Sequence, residues 1–166
     1  QFRAGLQAAL EAGFDKVKIN AVLIGGFNDN EIRQLADLTK QYPVDMRFIE
    51  MMPMYDSGDF DASAFIPYTR VLDALPEAAP VQHDGGVAKL YRLPGAKGNI
   101  GLISPVSAHF CGECNRLRLT SDGKLKPCLL KTGNEVSIKG KHGDELVSAI
   151  AKAVSNRSPY FTEETK

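Results

Sequence analysis

Three cysteines, Cys111, Cys114 and Cys128, stand in the pattern C-x2-C-x13-C. The first two sit in a short glycine-containing stretch, Phe110-Cys111-Gly112-Glu113-Cys114, where two thiolates can converge on one centre. Ser121-Asp122-Gly123, set between two extended segments, predicts a hairpin that carries the chain out and back, returning Cys128 to the same place. Three soft thiolates suit zinc or iron–sulfur chemistry. A structural zinc normally takes four protein ligands, and His109 could complete a Cys3His set. A cubane cluster on three cysteines instead leaves one iron open to a small molecule. Spacing alone leaves both readings open, beside a third in which the cysteines are reduced and hold no metal.

Asn115-Arg116-Leu117-Arg118 follows directly. On a strand Arg116 and Arg118 share a face, and two guanidiniums there make a fork for phosphate or carboxylate. The plainer reading is a solvated basic edge strand.

The first half supplies further candidates. Lys18 and Asn20 alternate with Val17, Ile19 and Ala21, so if the apolar set packs on helices, Lys18 faces the other side of the sheet. Arg47, in Met46-Arg47-Phe48-Ile49-Glu50, repeats the logic on the next strand, and Met52 lies just past that strand's C-terminal end, where α/β barrels place ligands. The alternatives are a surface charge for Lys18, a core filler for Met52, and an ion pair of Glu50 with Arg47.

These residues need elements to hold them. Phe2, Leu6, Ala9 and Leu10 predict a helix over 2–12 that Gly13 ends; 16–24 predicts a strand; Asn28 and Glu31 mark a helix start, with Ile32, Leu35, Ala36 and Leu38 as its buried stripe to about residue 40. A second strand is expected from Val44 to about Met51, then a polar loop over 53–63, a helix from Pro67 to Leu75, and a connector over 76–86. Helix, strand, helix, strand is an α/β layout with parallel strands. Beyond it, Val87–Leu93 and Asn99–Ser104 predict short strands joined around Pro94-Gly95. Arg116–Thr120 and Lys124–Leu129 predict the hairpin, and 143–156 a helix with Leu146, Ile150, Ala153 and Val154 on one face. The expected division is 1–76 and 77–166.

The bulk numbers bound the function. Apolar residues make up 43% of 166, enough for a core. Twenty Lys plus Arg balance twenty Asp plus Glu, which excludes a general nucleic-acid coating surface. No apolar run approaches the roughly 18 residues of a membrane span. The odd cysteine count excludes a complete disulfide framework, and the opening Gln1-Phe2-Arg3-Ala4-Gly5 has no leader pattern, so a reducing, cytoplasmic setting is expected.

Several segments together resemble the molybdenum cofactor biosynthesis protein A family, the GTP 3′,8-cyclases. They are Val17-Lys18-Ile19-Asn20, Arg47-Phe48-Ile49-Glu50-Met51-Met52-Pro53, Ile103-Ser104-Pro105-Val106-Ser107 and, most specific, the run from Phe110 to Leu129 that holds all three cysteines. The resemblance implies the C-terminal part of an incomplete (β/α)6 radical S-adenosylmethionine barrel, followed by a C-terminal α+β domain with antiparallel strands. It implies that Cys111, Cys114 and Cys128 bind the second [4Fe–4S] cluster, which faces GTP. Lys18, Arg47, Arg116, Leu117 and Arg118 would contact GTP, and Met52 would contact S-adenosylmethionine. The implied reaction uses a 5′-deoxyadenosyl radical to convert GTP to (8S)-3′,8-cyclo-7,8-dihydroguanosine 5′-triphosphate. Cyclic pyranopterin monophosphate synthase would act next.

Two departures qualify the resemblance. The family's initiating cluster needs C-x3-C-x2-C, which is absent, and all three cysteines are already assigned. With no starting Met and an opening inside a helical pattern, the sequence reads as a truncated chain that is inactive alone. Family members usually end in Gly-Gly, whereas this chain ends Thr162-Glu163-Glu164-Thr165-Lys166. A barrel lacking its first strands exposes apolar edges, so a homodimer or other self-association is expected. Two rival readings are a non-catalytic Cys3His zinc module, and a peptide-modifying radical enzyme with a cysteine-rich extension; the latter normally holds more cysteines.

Overall fold

The computed structural model describes residues 1–52, 62–82, 86–112, 114, 116–129 and 133–157. Most of the expected polar loop, residues 53–61, and the chain's end at 162–166 lie outside the described residues. The described residues form two compact units: the first holds residues 1–52 and 62–108, and the second holds those from His109 onward.

The first unit is a five-stranded mixed sheet with helices against one face. Its elements are helix α1 (Phe2–Glu11), strand β1 (Val17–Leu23), helices α2 (Ile32–Ala36) and α3 (Leu38–Gln41), strand β2 (Val44–Glu50), a 3-10 turn at Ala62–Ala64, helix α4 (Thr69–Ala74), and strands β3 (Ala79–Val81), β4 (Lys89–Arg92) and β5 (Ile100–Ile103). The strand order is β1-β2-β5-β4-β3. β1, β2 and β5 run parallel, whereas β4 and β3 join antiparallel. The α/β reading with parallel strands therefore holds.

The division expected at 76/77 falls inside this unit, because β3 to β5 extend the first sheet. All four residues of Ile100–Ile103 are buried, as an apolar run in a central strand must be. Asp45 fixes that insertion. Its buried carboxylate accepts the Asn99 N–H at 3.0 Å and Asn99 Nδ2 at 3.2 Å, while Met46 N donates to Asn99 O at 2.9 Å.

The core joins Leu23, Met46, Phe48, Ile100 and Leu102 of the sheet to Ile32, Ala36, Val71 and Leu75 of the helices. Burying each larger side chain stabilises the fold by about 1.5–3 kcal/mol. Helix α1 ends as expected, with Gly13 at φ +74°. Its apolar stripe is shallower than expected: Leu6 is buried, while Phe2 is exposed.

The helix expected over 32–40 is interrupted at Asp37, where Lys40 N donates to Asp37 O at 3.1 Å in a tightened turn. Asn28 does not cap it. Its side chain instead closes the turn after β1, accepting Ile24 N–H at 2.9 Å and donating to Val22 O at 2.9 Å. Helix α4 starts at Thr69 rather than Pro67, after a turn in which Arg70 N donates to Pro67 O at 3.0 Å.

The second unit holds a three-stranded antiparallel sheet of β6 (Arg118–Leu119), β7 (Lys124–Lys126) and β8 (Val136–Ser137), with helix α5 (Gly143–Ser155). Helix α5 buries Ala149 and Ala153, whereas Ile150 and Val154, expected on its inner face, are exposed. The helix approaches its sheet through small side chains one turn apart, which leaves the larger ones outside.

Candidate functional site

In the first unit the sheet register sorts the candidate residues. Ile19, Ala21 and Leu23 pack toward the helices, so Lys18 and Asn20 stand on the opposite face and are exposed. Asn20 pairs with Arg47, and Arg47 with Gly101, which places Lys18, Asn20 and Arg47 on one helix-free face.

Arg47 is half-buried, and its Nε is buried with no hydrogen-bond partner among the described residues. A buried guanidinium donor in that state calls for an acceptor. Met52 is half-buried, two residues beyond the end of β2.

Glu50 does not pair with Arg47. Three residues apart on a strand, they face opposite ways. The Glu50 carboxylate instead accepts the N–H groups of Tyr68, Val106 and Ser107 at 2.9, 3.1 and 3.0 Å, and the Ser107 hydroxyl. This buried acid is the functional candidate that sequence reasoning missed. Its signal was an isolated carboxylate out of phase with the nearest arginine.

In the second unit, Cys111, Cys114 and Cys128 are free and half-buried. Cys114 N donates to Cys111 O at 3.4 Å, which closes the turn between them. The hairpin forms at Ser121-Asp122-Gly123, with Gly123 at φ +82°. Thr120 N donates to Lys124 O at 2.9 Å, and Lys124 N to Thr120 Oγ1 at 3.0 Å. Asp122 bonds the Thr120 hydroxyl and pairs with Lys124 at 2.7 Å. The Lys124 ammonium, then the Thr120 hydroxyl, hold its carboxyl down at about 2.

Strand pairing sets Arg118 against Lys126 and Leu119 against Leu125. The pairing ends at Arg118 and Lys126, so Arg116 and Cys128 each lie two residues outside it. The strand expected over Arg116–Thr120 is only Arg118–Leu119. Arg116 precedes it, yet Arg116 and Arg118 are both exposed, with Leu117 half-buried between them.

Among the described residues no three His, Cys, Asp or Glu side chains are gathered as a metal site, with or without His109. The donor set still fits a thiophilic centre by its chemistry: three thiols outside any disulfide, two of them at the ends of one turn and the third two residues past the hairpin arm β7. A groove of about 600 Å³ between β8 and α5 is lined by Asn134, Lys141, Glu145 and Lys152 among others, and none of the predicted site residues borders it. No helix among the described residues is long and apolar enough to cross a membrane.

Residues 44–163 match the family described as Molybdenum Cofactor Synthesis C. A GTP 3′,8-cyclase of Alkaliphilus metalliredigens is 48% identical over 130 residues, covering 78% of this chain and 41% of that protein. One of Alkaliphilus oremlandii is 40% identical over 157 residues, covering 92% and 49%. Molybdenum cofactor biosynthesis protein 1 of Homo sapiens is 39% identical over 164 residues, covering 92% and 25%. The chain spans about half the length, or less, of the curated relatives it matches.

Proposed function

The chain belongs to the Molybdenum Cofactor Synthesis C family, and on that premise we propose that it is the C-terminal part of a GTP 3′,8-cyclase of molybdenum cofactor biosynthesis. In this reading β1, β2 and β5 are the last parallel strands of the radical S-adenosylmethionine barrel. The rest of the protein supplies the initiating [4Fe–4S] cluster, and this chain alone makes no product. The free edge of β1, with Val22 exposed on it, supports association with further strands or with a second copy.

Cys111, Cys114 and Cys128 hold the second [4Fe–4S] cluster. Bound there, the cluster supplies an iron that lacks a protein ligand and can take the guanine base. Arg116 and Arg118, with Leu117 between them, take phosphate charge. Lys18 and Arg47 take further anionic groups of the nucleotide, and Met52 contacts S-adenosylmethionine.

The observation that carries the reading is the free cysteine triplet beside its turn and hairpin, with two exposed arginines after the second cysteine, Arg116 before β6 and Arg118 opening it. Anaerobic reconstitution tests it. The chain should turn brown and take up about four irons, and GTP should alter the paramagnetic resonance of the reduced cluster. Cys128→Ala should abolish that uptake. A colourless protein holding one zinc would replace this reading with the Cys3His module.

A further inference from the structure

Glu50 is 2% exposed, and its carboxylate meets no cation among the described residues. Oε1 accepts the Tyr68 N–H and the Ser107 hydroxyl, and Oε2 accepts the N–H groups of Val106 and Ser107. Four donors fill the acceptor capacity of an ionised carboxylate. A buried charge is costly, but no neutral side chain offers acceptors to all four of these donors, and each left unpaired would cost free energy as well. What the charge adds is strength and direction in the bonds to three backbone N–H groups.

Those groups lie on separate segments. Glu50 ends β2, Tyr68 opens α4, and Val106 with Ser107 forms the turn after β5. One side chain therefore ties together the C-terminal ends of two neighbouring parallel strands, the edge where open α/β sheets bind ligands. Met52 follows Glu50 by two residues, and Cys111 follows Ser107 by four.

We propose that Glu50 is a positioning residue. Its carboxylate fixes the strand-end loops so that Met52 is presented to S-adenosylmethionine, and it touches no substrate itself. This rests on the cyclase reading above.

The test uses the full-length protein that carries this sequence. Glu50→Gln keeps the shape but sets amide hydrogens against backbone donors. Hydrogen exchange at Tyr68, Val106 and Ser107 should quicken about tenfold, and S-adenosylmethionine affinity per folded molecule should fall about tenfold. GTP affinity should change less than about threefold, a split that general destabilisation would not produce. If Glu50→Gln does not fold, Ser107→Ala carries the test. It removes one bond of the four and should weaken S-adenosylmethionine about threefold.

Unchanged exchange, or faster exchange with unchanged S-adenosylmethionine affinity, overturns the positioning role. A parent protein that binds S-adenosylmethionine but makes no cyclised GTP overturns the cyclase reading and leaves the positioning role judged by the affinities. A parent that binds no S-adenosylmethionine overturns both.

Discussion

Gly101 faces Arg47 across the β2–β5 pair, and a Cβ on Gly101 would stand 3.0 Å from Arg47 Cγ. Its other neighbours, Ala88 Cβ and Leu90 Cδ2, would be at ordinary distances of 3.5 and 3.6 Å. The arginine stem is thus the one neighbour that must move, and a flexible stem can do so. Gly101→Ala should change stability by no more than about 1 kcal/mol, yet displace the guanidinium and weaken GTP binding about tenfold. Thermal melts and titration with GTP check the two halves separately. Equal affinities would show that Arg47 has no part in binding nucleotide.

Gly98 presents the opposite case. A Cβ there would lie 1.9 Å from Val44 O and 2.6 Å from Val44 C, both backbone atoms that cannot yield without moving β2. Gly98 N also donates to Thr39 O at 3.3 Å, so the segment is held from a second side. Gly98→Ala should cost about 3 kcal/mol and lower the melting temperature by on the order of 10 °C. A melt within two degrees of the parent would mean that β5 can slide on β2.

Asp122 gives a pH prediction with a definite sign. Its folded value, about 2, lies below the ordinary 3.8 because Lys124 and Thr120 favour the charged form. The hairpin's gain is therefore complete above the ordinary value and fades as pH falls through about 2. The pair is exposed, so the effect is local rather than global. Carboxyl resonance titration should place the midpoint near 2, and amide exchange at Lys124 should quicken below pH 3 in the parent but be pH-independent in Asp122→Asn, apart from intrinsic chemistry. A midpoint near 3.8 would remove Asp122 from the forces that shape the turn before Cys128.

How much could be read in advance follows from how local each signal was. The alternation from Val17 to Leu23 placed Lys18 on the helix-free face, and Arg47 followed by the same period of two. Ser121-Asp122-Gly123 announced its turn through residue type alone. The connection of β5 to β2 was hidden, because the Asp45–Asn99 contact joins residues more than fifty apart in the chain. Helix α5 misled because its apolar residues outnumber the positions its sheet can cover, and packing selected the alanines. An ion pair of Glu50 with Arg47 was only an alternative, and their difference in phase on β2 rules it out.

The reading of Arg116 and Arg118 as phosphate-binding groups separates charge from shape. Both are exposed, and neither has an ion-pair partner among the described residues, so each is available to an anion. If the pair acts as a fork, Arg118→Ala should weaken GTP about tenfold, and Arg118→Lys, which keeps the charge but loses the planar donor pair, should recover only part of that loss. Guanosine, which carries no phosphate, should bind parent and variants alike. Titrations of both ligands at two salt concentrations make the distinction, since a phosphate contact weakens with salt while base contacts hardly do. Equal losses for GTP and guanosine would place Arg118 against the base or in the scaffold, and the charge-neutralising role would pass to Lys18 and Arg47.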